Sequence, residues 1–379
     1  MNPTFQRLMH QATRLTSAGN LRAATAAIQR ALGRGSWPNV PSVPTAPSVP
    51  TAAAVPTASD RSATVLDGYV VEPPQQAPAR PGEFLGGSHQ HAGLTRDYKL
   101  FVLPGSTDRP LPLVVMLHGC TQDPDDFAAG TGMNELAREQ GFLVLYPAQA
   151  QNANPARCWN WFKHNHQGRI GGEAAVIASM TQAVMRERGV DPARVYIAGL
   201  SAGGAMAAIV AAAYPEIFAA VGVHSGLAPG AARSLPEGLA AMRAGAIGAT
   251  ALAGRSGPGL RVPVIVFHGD SDATVHPKNG DQVIAAVLAS AAPLEAGSTR
   301  QPVVEEGVSL QGQRYTRTVH GAVTGAVTGP ALAEQWLLHG AGHAWSGGQA
   351  AGSYTDTKGP DASRAMLRFF FSHAVRTRH

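Results

Sequence analysis

From Leu111 to Leu117 the chain runs through seven residues without a charged or hydrogen-bonding side chain. Unbroken apolar runs recur at 142–147, 195–198 and 264–267. A strand with one face in water alternates, whereas one that is apolar throughout has both faces covered, as in a parallel sheet flanked by helices. Between these runs, helical spacing appears at 133–140, 173–188, 280–291 and 362–373. Residues 83–85 and 96–103 predict two antiparallel strands, and 314–319 and 334–338 predict late edge strands. Residues 227–259 read as helical cover, and the doubled Gly-Ala-Val-Thr at 321–328 reads as a hairpin loop. Strands alternating with helices predict an α/β fold with a mostly parallel central sheet and helices on both faces.

Ahead of residue 83 the pattern changes. Residues 3–16 and 21–32 show helical spacing around a Gly19-Asn20 turn, which predicts a short basic amphipathic helical segment over 1–35. Residues 36–82 are rich in Pro and Ala, with Pro-Ser-Val-Pro-Thr-Ala repeated from Pro41 and Pro47, and read as an extended linker. The folded domain is expected over 83–379, and 379 residues accommodate one such domain plus an extension.

Charge sharpens this division. The formal net charge is +5, and residues 1–35 hold five arginines and no acidic residue. The remainder is therefore balanced, and no basic groove for nucleic acid is expected. No apolar run reaches the length of a transmembrane segment. Residues 1–35 lack the apolar core of a signal peptide. Their acid-free helical face suits an anionic or apolar surface, or packing against the rest of the protein.

The candidate chemistry centres on Gly199-Leu200-Ser201-Ala202-Gly203, which lies between an apolar strand and a run of helix formers. Strand, G-x-S-x-G and helix make the context of a nucleophile elbow, with Ser201 Oγ raised above the sheet. The plainer alternative makes Ser201 a helix cap. An acid and a histidine must follow in that order. The strand at 264–267 delivers Asp270 and Asp272, and Asp272 is favoured because its D-x-x-V arrangement lets Val275 pack back. His343 lies in a glycine-rich loop near the C-terminus, with His339 as its competitor. Oxyanion donors are expected at the N–H groups of Ala202 and Cys120. Trp159, Trp161 and Trp345 fall on loops and would line an apolar substrate cleft, unless they cover the edge of the core. Cys120 and Cys158 either pair or remain thiols. No metal-ligand spacing is present, and no metal or cofactor is expected.

Four stretches together resemble the poly(3-hydroxybutyrate) depolymerase family of esterases. They are Leu117–Gln122, Cys158–Phe162, Gly199–Met206 and Gly340–Gly348, within a resemblance spanning 83–375. The resemblance implies an α/β-hydrolase that cleaves polyester or oligoester bonds without a cofactor. It places Ser201, Asp272 and His343 in the triad, with the His-Gly-Cys turn as second oxyanion donor. Relatives include feruloyl and acetylxylan esterases, so a carbohydrate esterase is the first alternative. A non-catalytic protein coating polyester granules is the second. The N-terminus departs from secreted family members, so residues 1–35 are expected to dock on a granule surface. A cytoplasmic or granule-associated location is expected, with an extracellular one as the alternative.

Overall fold

A computed structural model describes residues 82–104, 109–246, 259–290, 301–321 and 330–375. The helical segment at 1–35, the linker up to 81 and the loop at 322–329 lie outside them.

The chain opens with an antiparallel pair, β1 (Glu83–His91) and β2 (Leu94–Val102). Then come β3 (Leu113–Leu117), helices α1 (Pro124–Thr131) and α2 (Met133–Gln140), and β4 (Leu143–Pro147). Helix α3 (Gly172–Arg188) leads to β5 (Val195–Leu200), α4 (Ala202–Ala213) and β6 (Ala220–His224). Helix α5 (Leu235–Ala244), β7 (Val264–Gly269) and α6 (Lys278–Ser290) follow. Strands β8 (Val303–Val308), β9 (Arg314–His320) and β10 (Ala333–Leu338) complete the main sheet. A two-residue pair, β11 (Trp345–Ser346) with β12 (Thr355–Asp356), and helix α7 (Ala362–Phe371) close the domain.

The sheet order is β1-β2-β4-β3-β5-β6-β7-β10-β9-β8, and the six central strands from β4 to β10 are parallel. Their apolar runs are explained by two cores. Leu113, Val115 and Leu117 of β3 face a core shared with α3, α4 and α6. Val114 and Met116 face a second core shared with α1, α2 and α7. Successive side chains point to opposite faces, so a strand covered on both must be apolar at every position. Phe267 shows what such burial is worth. It is fully buried between His224 and Trp336, with ring centroids 5.7 and 5.2 Å away. Phe267→Ala would cost about 3–5 kcal/mol by leaving a cavity.

The pattern falls short in three places. Neither 314–319 nor 334–338 forms an edge: β10 sits between β7 and β9, β9 sits between β10 and β8, and the edge on that side is β8, which the pattern did not predict. Its exposed Val303, Val304 and Val308 alternate too weakly with Glu305 and Glu306 to declare a strand. The polar stretch before α2 is helical, because Asp123 caps α1 by accepting the Asp126 N–H and Pro124 opens its first turn.

Register decides where the loops meet. Leu117 of β3 lies beside Gly199 of β5, and Leu200 beside His224 of β6. His224 lies beside Phe267 of β7, and Gly269 beside Leu338 of β10. The carboxyl ends of five parallel strands therefore open on one edge, where ligands bind in open α/β sheets. No helix among the described residues is long and apolar enough to cross a membrane.

Candidate active site

Ser201 follows the last residue of β5 with φ 58° and ψ −119°, a strained conformation for a residue with a Cβ. Its neighbours must be glycine. A Cβ on Gly203 would lie 2.1 Å from Leu117 O, and one on Gly199 2.4 Å from Gly203 C. The Ser201 N–H donates to His224 O at 2.8 Å. Its side chain makes no capping bond to α4, which removes the helix-cap reading. Ser201 Oγ is in no hydrogen bond among the described residues.

Asp272 and His343 are joined. His343 Nδ1 lies 2.7 Å from Asp272 Oδ2, so the imidazole carries its proton on Nδ1 and leaves Nε2 open. The other oxygen, Oδ1, accepts the N–H groups of Thr274 and Val275 at 2.9 and 2.8 Å. Val275 is buried, as the D-x-x-V pattern implied. Burial by itself would push the Asp272 carboxyl up. Bonds to His268 and His343, the charge of His343 and the Val275 N–H outweigh it and hold the carboxyl far below the usual carboxylate range.

The loop that carries His343 folds back across the end of β6, the strand between the elbow and Asp272. Ser346 N donates to His224 Nε2 at 3.0 Å, and the Trp345 ring stacks on His224 at 5.1 Å. His224 thus holds the Ser201 N–H through its carbonyl and the histidine loop through its ring. Burial, with His268 and His343 nearby, keeps His224 neutral and well below its ordinary range. The Ser201 side and the Asp272–His343 side flank one strand end.

The loop after β3 leaves the Cys120 N–H unpaired among the described residues. Gly119 N donates to Gln122 Oε1 at 2.9 Å, Thr121 N to Ala156 O at 2.7 Å, and Gln122 N to Gly119 O at 3.4 Å. Cys120 N has no partner among the described residues. Ala202 N, first in α4, lies beyond the reach of intrahelical bonding. Cys120 is disulfide-bonded to Cys158, which settles the alternative left open by the sequence. His118 braces the same loop. Its Nδ1 lies 2.7 Å from Gly119 O, and its Nε2 accepts the Gln149 N–H at 3.1 Å. Burial lowers its pKa to about 4, so it stays neutral.

The cleft expectation fails for all three tryptophans, which cover the core instead. Trp159 is 0% and Trp345 1% exposed, and their indole N–H groups donate inward to His118 O and Ser363 Oγ. Both brace the site from beneath, because a buried indole finds its partner inside the protein. Trp161 is also buried, packed edge-on against Phe162 under α5. None of the three presents an open face to a ligand.

Beneath them lies a carboxylate the pattern did not single out. Glu173 is fully buried and accepts Asn160 N, Asn160 Nδ2 and Gln149 Nε2 at 2.6–2.7 Å, with Arg96 at 3.3 Å. Its place in the first turn of α3 looked like an ordinary acidic helix start. A second pair also stands nearby: His339 Nδ1 lies 3.0 Å from Asp270 Oδ2. No group of three or more His, Cys, Asp or Glu among the described residues could hold a metal ion.

Residues 96–308, over half of the chain, match the family described as esterase PHB depolymerase. The chain belongs to that family. The family match is narrower than the 83–375 expected from the motifs; it includes Cys120, Ser201 and Asp272 and stops before His343. The chain is 35% identical to poly(3-hydroxyalkanoate) depolymerase C of Paucimonas lemoignei over 189 residues, 48% of this chain and 45% of that protein. It is 30% identical to acetylxylan esterase A of Talaromyces purpureogenus over 184 residues, 44% of this chain and 46% of that one. The chain spans about half the length of these curated relatives. Among solved structures, the acetyl xylan esterase from Aspergillus awamori superposes with a TM-score of 0.56 at 20% identity, covering 76% of this chain and 99% of that one. That likeness establishes the α/β-hydrolase fold.

Proposed function

We propose that this family member is a serine esterase using Ser201, His343 and Asp272, and that it acts on polyhydroxyalkanoate-type oligoesters or polyester. The observation that carries the reading is the Asp272–His343 bond, with Nε2 left open on a loop folded over the strand beside the Ser201 elbow. Ser201 Oγ attacks the ester carbonyl carbon while its proton passes to His343 Nε2. Asp272 holds the imidazole tautomer and balances the cation. The oxyanion is stabilised by Ala202 N–H and Cys120 N–H. The carbon–oxygen bond to the alcohol breaks as His343 returns the proton to the leaving oxygen. Water, deprotonated by His343, then attacks the acyl carbon, releases the acid and restores Ser201.

The substrate class is supported by the depolymerase among the relatives, and the acetylxylan relative supports the carbohydrate-ester alternative. One experiment separates them. Wild type and Ser201→Ala are assayed on hydroxybutyrate oligomers, amorphous polyhydroxybutyrate, acetylated xylan and feruloyl esters. Oligoester turnover that vanishes in Ser201→Ala is expected, together with organophosphonate labelling of Ser201. Turnover confined to the carbohydrate esters would replace the polyester reading. Absence of labelling and of all turnover would leave the granule-coating alternative.

Docking of residues 1–35 on a granule belongs to the same proposal and rests on their acid-free amphipathic pattern. Deleting residues 1–60 should abolish co-sedimentation with granules; unchanged sedimentation would end that part. The Cys120–Cys158 pair favours an oxidising compartment and therefore the extracellular alternative. Mass spectrometry of the protein isolated under thiol-trapping conditions decides whether the bond forms where the protein works.

A further inference from the structure

The segment after His343 is strapped to the loop that carries Cys120. Asp126, in the first turn of α1, makes the buckle. Its Oδ1 accepts Ser353 N at 2.8 Å, and its Oδ2 accepts Ser353 Oγ at 2.6 Å and Gln122 Nε2 at 2.9 Å. Gln122 is buried and spends its second amide hydrogen on Ser353 O at 3.0 Å. The amide is thereby held one way round, with Oε1 turned to Gly119 N. That bond occupies Gly119 N–H and leaves Cys120 N–H without a partner among the described residues.

The strap itself is tightly seated. A Cβ on Gly352 would fall 2.3 Å from Gly130 Cα, so the two backbones touch. Tyr354 is held at φ 52°, and its carbonyl accepts the Trp345 N–H at 2.7 Å, two residues after His343. Its phenol reaches Thr121 Oγ1 at 3.1 Å, next to Cys120. A non-glycine residue at positive φ persists only where its surroundings over-determine it. Here those surroundings join the base loop to the oxyanion loop.

We propose that Asp126 is a positioning residue for the Cys120 N–H. It acts through the Gln122 amide and locks the oxyanion loop to the His343 segment, so that acid–base and oxyanion groups stay in register. This rests on the serine-esterase reading above. Asp126→Asn is the diagnostic change, because it keeps size and removes one acceptor. Whichever way the new amide turns, its NH₂ meets a donor: Ser353 N–H on one side, Gln122 and Ser353 Oγ on the other. With the NH₂ towards Ser353 N–H the strap loses its backbone bond; with it towards Gln122 that amide loses its fixed orientation, and its oxygen no longer holds Gly119 N–H.

The test uses the full chain, with active sites counted by organophosphonate titration driven to completion. For Asp126→Asn we expect kcat/KM on 4-nitrophenyl acetate per titrated site to fall about 10–100-fold, short of the loss of an entire oxyanion donor. The Ki of an alkyl boronic acid, whose tetrahedral adduct needs the same donors, should rise by a similar factor. Ser353→Ala, on the solvent side, should shift both quantities the same way by less, and carries the test alone if Asp126→Asn yields no folded enzyme. Both quantities within twofold of wild type would overturn the proposal. So would a loss of turnover with boronate affinity unchanged, which marks a merely structural role. If wild type itself is neither titrated at Ser201 nor active on esters, the esterase reading fails instead.

Discussion

Two Asp–His pairs stand at the ends of β7 and β10, and their contrast shows what burial and an open nitrogen do. In both, a carboxylate meets Nδ1 of the histidine, at 2.7 Å in Asp272–His343 and 3.0 Å in Asp270–His339. The Asp272 side chain is 0% exposed and that of Asp270 36%. Asp270 also spends Oδ1 on Gly340 N at 2.7 Å; desolvation pushes its pKa up, but the bonds to Gly340, His339 and Ser271 together outweigh it and lower the pKa. The second nitrogen separates the pairs. His339 Nε2 is taken by Thr316 Oγ1 at 2.8 Å, whereas His343 Nε2 has no partner among the described residues. One pair is closed at both ends and ties loop to sheet. The other can still accept a proton.

The largest expected effect breaks the buried pair. Asp272→Asn should lower kcat by about 10³–10⁴-fold, as loss of the orienting carboxylate does in serine hydrolases. Asp270→Asn should leave kcat within about threefold. Comparable losses in both variants would mean that the two pairs share the chemistry.

Stability against pH sharpens the contrast next. The folded Asp272 carboxyl titrates far below its unfolded value of about 3.9, so its contribution is complete above that value. It fades as pH falls below about 4 towards the folded value. Asn at 272 does not titrate, so the gap in unfolding free energy between wild type and Asp272→Asn should be widest near neutrality and narrow on acidification. Denaturant melts at pH 7 and pH 3 check this; a gap that widens in acid contradicts it.

Smaller effects belong to the exposed pair. His339→Ala should cost about 1 kcal/mol or less in urea unfolding, the range of solvent-exposed ion pairs and single hydrogen bonds, with ester turnover kept. Thr316→Val opens His339 Nε2 without touching Asp270 and should lower Tm by only about 1–2 °C. Activity gained at His339 in that variant, when combined with His343→Ala, would show that an open nitrogen alone makes a base.

The pairing of Asp272 with His343 was legible because D-x-x-V and the glycine-rich loop are local signals. The role of Asp270 and His339 was not, since Thr316 lies on another strand, 23 residues away from His339. Glu173 and Asp126 escaped for a related reason. Each sits in a helix first turn, where acidic residues are common, and only their partners at Asn160 and Ser353 set them apart. The tryptophans take the covering role rather than the cleft role, because a position on a loop does not imply exposure. The loop folds inward, and the indole N–H groups find carbonyl and hydroxyl acceptors there.

The sequence by itself determined the parallel sheet, most of its flanking helices and the elbow at Ser201. These follow from side-chain period and backbone sterics over a few neighbouring residues. Only the tertiary structure decided the Cys120–Cys158 bond, which strand forms the sheet edge, the inward turn of Trp159 and Trp345, and the strap from Asp126 to Ser353. The disulfide and the strap join segments 38 and 227 residues apart. Which such segments meet depends on how whole layers pack and which buried polar groups find partners, and no local period records that.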